Sequence, residues 1–270
     1  MGEVVALDAP VADVSAPYAL IQETWLLAGK VKLRQLTRGF RAGTDAVLLA
    51  AAAPVVRGLV LDVGAATGAV GLSYGVRAVE ARIGLIEIDD VTAGLAQENI
   101  ALNGMEARAQ VFHGNFLNGI GRRAMGIASD AADLVLTNPP YLDPARVRLS
   151  SDPDKIRAHA MSQAGAVALE AWIKACVAML RPGGTFVMVH RADALPEILD
   201  FCQGRLGALS VMPIHSKADE NAIRVLVRGK KGSRAPLSLA PSFVLHEADG
   251  SATLRSAAVH RGEAVLEWPE

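Results

Sequence analysis

The sequence predicts an α/β chain built on a mostly parallel, doubly wound sheet, and three observations carry that expectation. Apolar runs of strand length alternate with amphipathic stretches of helical spacing from Leu59 to Val189. The first of these runs, Leu59 to Val63, turns through Gly64 and Gly68 into an apolar helical stretch. That strand–glycine turn–helix order is Rossmann-like and leaves backbone N–H groups open to a nucleotide-like ligand. The later runs Leu209 to Ile214 and Ala222 to Val227 read as closing antiparallel strands.

The elements follow in chain order. Residues 1–24 read as an N-terminal extension, rich in Ala and Val, with Pro10 and Pro17 and no clear period. Residues 25–270 read as a single domain with strand-rich C-terminal additions. Val31, Leu33 and Gln35 alternate with Lys32 and Arg34, as in a strand with one cationic face. With Lys30, Arg38 and Arg41 they make a basic run that contains no acid. It is either an edge strand protected by charge or a phosphate-contacting surface. Thr44 or Asp45 then caps a helix running towards Pro54.

After the glycine turn, Ile83 to Ile88 is a second buried strand that ends in the acids Glu87 and Asp89. Val91, Leu95 and Leu102 mark a helical face, stopped by Asn103-Gly104. Arg108 to Phe112 is a third strand, ending in Gly114-Asn115-Phe116, and residues 117–132 connect it onward through Arg122 and Arg123. The fourth strand, Leu134 to Leu136, delivers Asn138-Pro139-Pro140-Tyr141. Residues 142–162 carry mixed charge and read as a long loop or a short helix. Leu169, Ile173, Cys176, Val177 and Leu180 mark an amphipathic helix, stopped at Arg181-Pro182-Gly183-Gly184 before a fifth strand, Thr185 to Val189. A last strand-like run covers Leu237 to His246.

Composition narrows the function. Of 270 residues, 51% are apolar and 20% charged, which suits a folded globular chain with a sizeable core. A net charge of −1 argues against general coating of nucleic acid, so a polyanion partner must use a local patch. Arg224, Arg228, Lys230, Lys231 and Arg234 form a second acid-free run that could pair with the first, or be a solvated hairpin. Cys176 and Cys202 lack metal-ligand spacing, Cys176 reads as a buried thiol, and the six histidines are scattered, so no metal is expected. With no signal-peptide pattern and no apolar run long enough for a bilayer, a cytoplasmic protein is expected.

The chemistry lies in two stretches read together. Glu87 follows Gly64 by roughly twenty residues, the distance at which an acid meets a ribose hydroxyl in Rossmann-like sheets. The glycine turn fails the full dinucleotide pattern, because Ala66 and Ala69 stand where glycines would be needed. Asn138 to Tyr141 after a buried strand is the more specific signal. Together the two stretches resemble the S-adenosylmethionine-dependent methyltransferases of amino groups, in which an Asn-Pro-Pro-Tyr loop holds the nucleophile. The segment Arg41 to Leu49, followed by alanines up to Pro54, resembles one branch, the bacterial tRNA adenine-N6 methyltransferases, whose described target is the adenine beside the anticodon of a valine tRNA.

This resemblance implies a seven-stranded class I methyltransferase sheet with its last core strand antiparallel. It implies S-adenosyl-L-methionine as cofactor, S-adenosyl-L-homocysteine as product and a structured RNA, most specifically tRNA, as substrate. It assigns Gly64, Ala65, Ala66 and Gly68 to close backbone approach, and Asp62 and Thr44 to the methionine end, with the neighbouring Asp45 also at the cofactor. Glu87 would hold the ribose and Ile88 would lie against adenine, with Asn115 and Phe116 beside it. Asn115 stands where an Asp is usual and would accept from the cofactor's amino group. Asn138, with the Pro139 carbonyl, would accept from the target amine, Pro140 would stiffen the loop, and Tyr141 would stack on the base. Lys32, Arg34, Arg38, Arg228, Lys230 and Lys231 are the RNA-contact candidates. The main rival is glutamine methylation of a release factor, which uses the same tetrapeptide. A chain that binds cofactor or RNA without turnover is the reading from another class, suggested by Ala66 and Asn115. A monomer and a homodimer are both compatible with the sequence.

Overall fold

The computed structural model describes residues 21–37, 42–140 and 165–268. Tyr141, Arg38, Arg41, the extension up to residue 20 and the mixed-charge stretch 142–162 lie outside the described residues.

The first element is a hairpin. β1 (Ile21–Leu26) and β2 (Val31–Leu36) pair antiparallel, from Ile21 opposite Leu36 to Leu26 opposite Val31. The boundary drawn at residue 24 therefore falls inside β1. The alternation read in β2 holds: Val31, Leu33 and Gln35 are buried, while Lys32 and Arg34 face out. Its free edge, however, is not left to solvent. Asn99 on α3 (Asp90–Leu102) and Asn103, its C-cap one turn on, each grip one β2 residue by both main-chain groups. Asn99 accepts from Arg34 N at 2.7 Å and donates to Arg34 O at 2.9 Å. Asn103 does the same with Lys32, at 2.9 and 2.7 Å. Two amides at helical spacing thus stand in for a neighbouring strand.

The main sheet adds β3 (Leu59–Val63), β4 (Arg82–Glu87), β5 (Ala109–His113), β6 (Ala132–Thr137), β7 (Leu180–Arg191), β8 (Leu206–His215) and β9 (Ala222–Lys231). Two short strands, β10 (Ser238–Leu239) and β11 (Phe243–Val244), pair with β8 in place of the single last run expected. The spatial order is β10-β8-β9-β7-β6-β3-β4-β5, and β9 runs antiparallel between β7 and β8. The remaining described pairs of this sheet are parallel. The expected closing antiparallel strand is therefore β9, which is the last of the long strands in chain order but is inserted in the sheet rather than placed at its rim.

Side chains alternate between two apolar layers, as a sheet covered on both faces requires. Val60, Leu134, Leu136, Val187 and Val189 join α1 (Thr44–Ala52) and α2 (Ala69–Arg77) in one layer. Leu61, Val63, Val135, Phe186 and Met188 join α5 (Gly165–Met179) and α6 (Leu195–Cys202) in the other. The short α4 (Gly119–Ala124) falls in the connection after β5. Both thiols are free and sit in the second layer, where burial pushes them up, to about 12 at Cys202. No helix of the described residues is long and apolar enough to cross a membrane.

Two local expectations need correction. Gly43 is the N-cap of α1 and makes no side-chain cap; Thr44 and Asp45 already lie in the first turn. On α3 the buried positions are Ala93, Leu95, Ala96, Asn99 and Ile100, while Val91 is 48% exposed. The inward face includes a polar residue because Asn99 serves β2, so an apolar-only reading of the helix was rotated.

The C-terminal additions close the far end of α1. Its last carbonyls, left open by helix geometry, accept from Trp268 Nε1 (Ala52 O, 2.7 Å), Leu266 N (Ala51 O, 3.1 Å) and Arg77 (Ala50 O, 2.6 Å). The Trp268 and Leu266 contacts, with α7 (Leu254–His260) against α1, fasten the chain's last stretch to the core, while Arg77 ties α1 to α2.

Candidate active site

The strand order reverses direction between β3 and β6. From β3 the chain steps outward to β4 and β5, then crosses back to β6 and on to β7. A crevice forms beyond the carboxyl ends of parallel strands at such a reversal, because the following connections diverge. Val63 and Thr137 are register partners at the ends of β3 and β6. The next residues are Gly64 and Asn138, so the glycine turn and the Asn-Pro-Pro corner leave the sheet side by side.

The turn is held from beneath. Gly64 N and Ala65 N both donate to Ile86 O, at 3.0 and 2.9 Å, and Gly68 N donates to Ala65 O at 2.8 Å. Gly64 (φ +72°) and Gly68 (φ +88°) adopt the left-handed conformation that glycine tolerates best. Ala66 adopts it too, at φ +47°. Its N–H donates to Glu87 Oε2 at 2.7 Å, and that ion-assisted bond offsets the backbone strain. Glu87 Oε1 accepts from Ile88 N and Asp89 N, at 2.8 and 2.9 Å. The carboxylate is therefore fixed at the end of β4 and faces a cavity of about 220 Å³.

Four chain segments and one helix line that cavity. Gly64 and Ala66 come from the turn, Glu87, Ile88 and Thr92 from the end of β4 and the start of α3, and Asn115, Phe116 and Leu117 from the segment after β5. Asn138 and Pro140 come from the corner after β6, and Trp172 comes from α5. Asn138 is 8% exposed. Asn115 Oδ1 accepts from Leu117 N at 2.9 Å, which orients its carbonyl locally. Ile88, 51% exposed, offers an apolar side chain to the opening. A larger groove of about 690 Å³ lies between α1, α2 and α7 but is lined by none of the candidate catalytic or cofactor-binding residues, so volume alone does not mark the site.

Other expected site residues fall elsewhere. Asp62 is buried under α2 and does not line the cavity; its Oδ2 accepts from Gly71 N at 2.8 Å. Burial raises its carboxyl to about 7; the Gly71 N–H works against that rise and the charge of Glu87 adds to it. Ala65 and Gly68 are buried in the turn behind the wall. Thr44 and Asp45 are also outside the wall, and Asp45 pairs with Arg224 at 3.1 Å. Pro139 is buried beside Asn138, and Tyr141 lies outside the described residues.

The basic runs are more engaged than their acid-free sequences suggest. Arg34 meets Glu23 on β1 and Glu98 on α3, at 3.4 and 3.2 Å. Arg228 stacks over Trp268 with its guanidinium carbon 4.9 Å from the ring centroid. Lys231 reaches Asp130 at 2.6 Å and two carbonyls, of Val177 and Leu180. Lys32 and Lys230 are exposed, and Arg38 lies outside the described residues. Among the described residues no group of three His, Cys, Asp or Glu is placed to hold a metal ion.

Sequence reasoning missed Thr92, Leu117, Thr137 and Trp172. The indole Nε1 of Trp172 donates to Thr137 Oγ1 at 2.8 Å, and that hydroxyl donates to Val63 O at 2.9 Å. Phe116 meets the same indole edge-on, with centroids 4.6 Å apart. Trp172 lies between Leu169 and Cys176 at helical spacing, so the α5 pattern marks it as buried but not as part of the site.

Comparison with known proteins bears on the family and the fold. A family model described as the methyltransferase small domain matches residues 39–207. A tRNA1(Val) (adenine(37)-N6)-methyltransferase of Aeromonas hydrophila is 30% identical over 214 residues, covering 78% of this chain and 84% of that protein. One of the same name from Bacteroides thetaiotaomicron is 32% identical over 160 residues, 58% of this chain. That match spans 62% of the Bacteroides protein, less than two thirds of its length. A solved structure from Agrobacterium tumefaciens, assigned by prediction as an O-methyltransferase, has a TM-score of 0.69 and 27% identity, covering 82% of this chain and 98% of that one. With the switch-point cavity in place and the family model matching more than half of its residues, the chain belongs to the methyltransferase small domain family.

Proposed function

We propose that the chain methylates N6 of an adenine in a tRNA, with S-adenosylmethionine as methyl donor. The observation that carries the reading is the opening of Gly64 and Asn138 onto one cavity at the strand-order reversal. The donor set fits a nucleoside sulfonium. A fixed carboxylate, Glu87, suits the ribose hydroxyls, and Ile88 with the Phe116 ring offers apolar surface for a base. Gly64 and Ala66, whose N–H groups are engaged within the protein, would allow close approach at the turn, and Asn115 would face the base edge. When bound, S-adenosylmethionine supplies a methyl group already activated by positive charge on sulfur.

The residues at Asn138 then do the remaining work. An exocyclic adenine amine is a weak nucleophile, because its lone pair is delocalised into the ring. The Asn138 side-chain oxygen and the Pro139 carbonyl would accept its two N–H groups and favour a pyramidal nitrogen. They would also offset the positive charge that develops there. No strong base is needed, since the proton can leave after attack. The buried, proline-braced corner restrains this geometry before the base arrives. The relatives' printed names support tRNA rather than a release-factor glutamine as the substrate.

The test is incubation with methyl-labelled S-adenosylmethionine and either a tRNA pool or a release factor, followed by nucleoside and amino-acid analysis. N6-methyladenosine in tRNA is expected, and Asn138→Ala should lower its formation by at least ~10²-fold with folding unchanged. Label appearing only in protein, or undiminished turnover in the variant, would contradict the reading.

A further inference from the structure

We propose that Thr137 and Trp172 are positioning residues, whose hydrogen-bonded relay sets the separation between the Asn138 corner and the Gly64 turn. The proposal rests on the methyl-transfer reading above and deepens it. Thr137 is the last residue of β6 and the register partner of Val63, the last residue of β3. Its hydroxyl donates to Val63 O at 2.9 Å and accepts the Trp172 indole N–H at 2.8 Å. Thr137 is fully buried and Trp172 is 7% exposed, so water competes little for either bond. The two strand ends are thus tied across the gap one residue before the chain turns into the two reacting loops.

The indole does more than fill space. A Cβ built at Gly64 would lie 2.8 Å from the indole Cζ2, so the turn rests directly on the ring. Phe116, in the segment after β5, packs edge-on against the same ring. One side chain from α5 therefore touches the glycine turn and the Phe116 segment directly, and the Asn138 corner through Thr137. Packing alone would require only the ring. The N–H bond adds a direction, because it fixes the indole relative to the strand that delivers Asn138. Transfer between two bound groups is steep in distance, and a shift of about 1 Å can cost on the order of 10²-fold in rate.

Three conservative variants test this. Trp172→Phe keeps a ring and removes the N–H, Thr137→Val keeps the volume and removes the hydroxyl, and Thr137→Ser restores the hydroxyl. For each, kcat and KM for tRNA methylation are measured together with S-adenosylhomocysteine affinity and the thermal midpoint. The expected result is a fall in kcat of ~10-fold or more for Trp172→Phe and Thr137→Val, with affinity held within ~3-fold. Thr137→Ser should stay within ~3-fold of the parent in kcat, and the double variant should be no slower than the slower single one, as one shared relay requires. An equally active Trp172→Phe, or a loss of kcat matched by an equal loss of affinity, would overturn the relay alone. A parent chain that transfers no methyl to tRNA in the same assay would overturn the reaction on which the relay rests.

Discussion

Ala66 holds a left-handed backbone at φ +47°, a conformation that costs a non-glycine residue about 1–2 kcal/mol. A glycine at 66 would adopt it without strain but would also enlarge the freedom of the unfolded chain. Ala66→Gly should therefore leave stability equal or raise it by up to about 1 kcal/mol, read from urea midpoints; a clear loss would show that the alanine is unstrained. Asp62 gives a second residue-level prediction. Its folded carboxyl titrates at about 7, raised mainly by burial, whereas in an unfolded chain it titrates near ~4. Between those values the folded state keeps a proton that the unfolded state has lost, so stability falls as pH rises through the window and is level above it. Asp62→Asn cannot ionise and its carbonyl can still accept from Gly71 N. Its stability relative to the parent should rise by up to about 1.4 kcal/mol per pH unit between roughly 4 and 7. A constant difference across that range would contradict the assignment. At this scale Glu87 and Asn138 were legible because each ends an apolar run at a characteristic spacing. Trp172 was not, since its partner Thr137 is distant in sequence and an indole on an amphipathic helix looks like ordinary core.

Among the elements, the β1–β2 hairpin departs most from its sequence reading. Its alternation was visible, but the acids that meet Arg34 come from β1 and α3, so the run looked unopposed only along the chain. Asn99 explains how the hairpin is joined to the site. Besides gripping Arg34, its amide donates to Thr67 O at 2.9 Å, inside the glycine turn. Asn99→Ala would leave the Arg34 main-chain groups and the Thr67 carbonyl without this partner in a buried setting. A loss of about 2–4 kcal/mol is expected by denaturant titration, larger than for the more exposed Asn103→Ala. Equal small losses at both positions would mean that water replaces the amides. The β3, β4, β6 and β7 strands were the easiest to read, because strands buried on both faces appear as continuous apolar runs. β10 and β11, two residues each, are too short to carry a period and merged into one run.

Across the whole molecule, the order of strands makes the site. Parallel pairing with a reversal between β3 and β6 places two loops side by side although they are far apart in sequence. Alternation of elements predicted a sheet of this kind with antiparallel closing strands, and the resemblance supplied the number of its seven long strands, β3 to β9. Neither periodicity nor composition could supply the spatial neighbours, because pairing of distant strands is set by packing of the helices over both faces. The C-terminal fastening through Trp268 and Leu266 escaped for the same reason: it uses backbone carbonyls of α1, which no side-chain pattern records.

The most direct measurement is a crystal structure of the chain with S-adenosylhomocysteine. The ribose is expected against Glu87, the base beside Ile88 and Phe116, and the sulfur facing Asn138 across the switch-point cavity. A ligand seated in the groove between α1 and α2, or a sulfur turned away from Asn138, would contradict it.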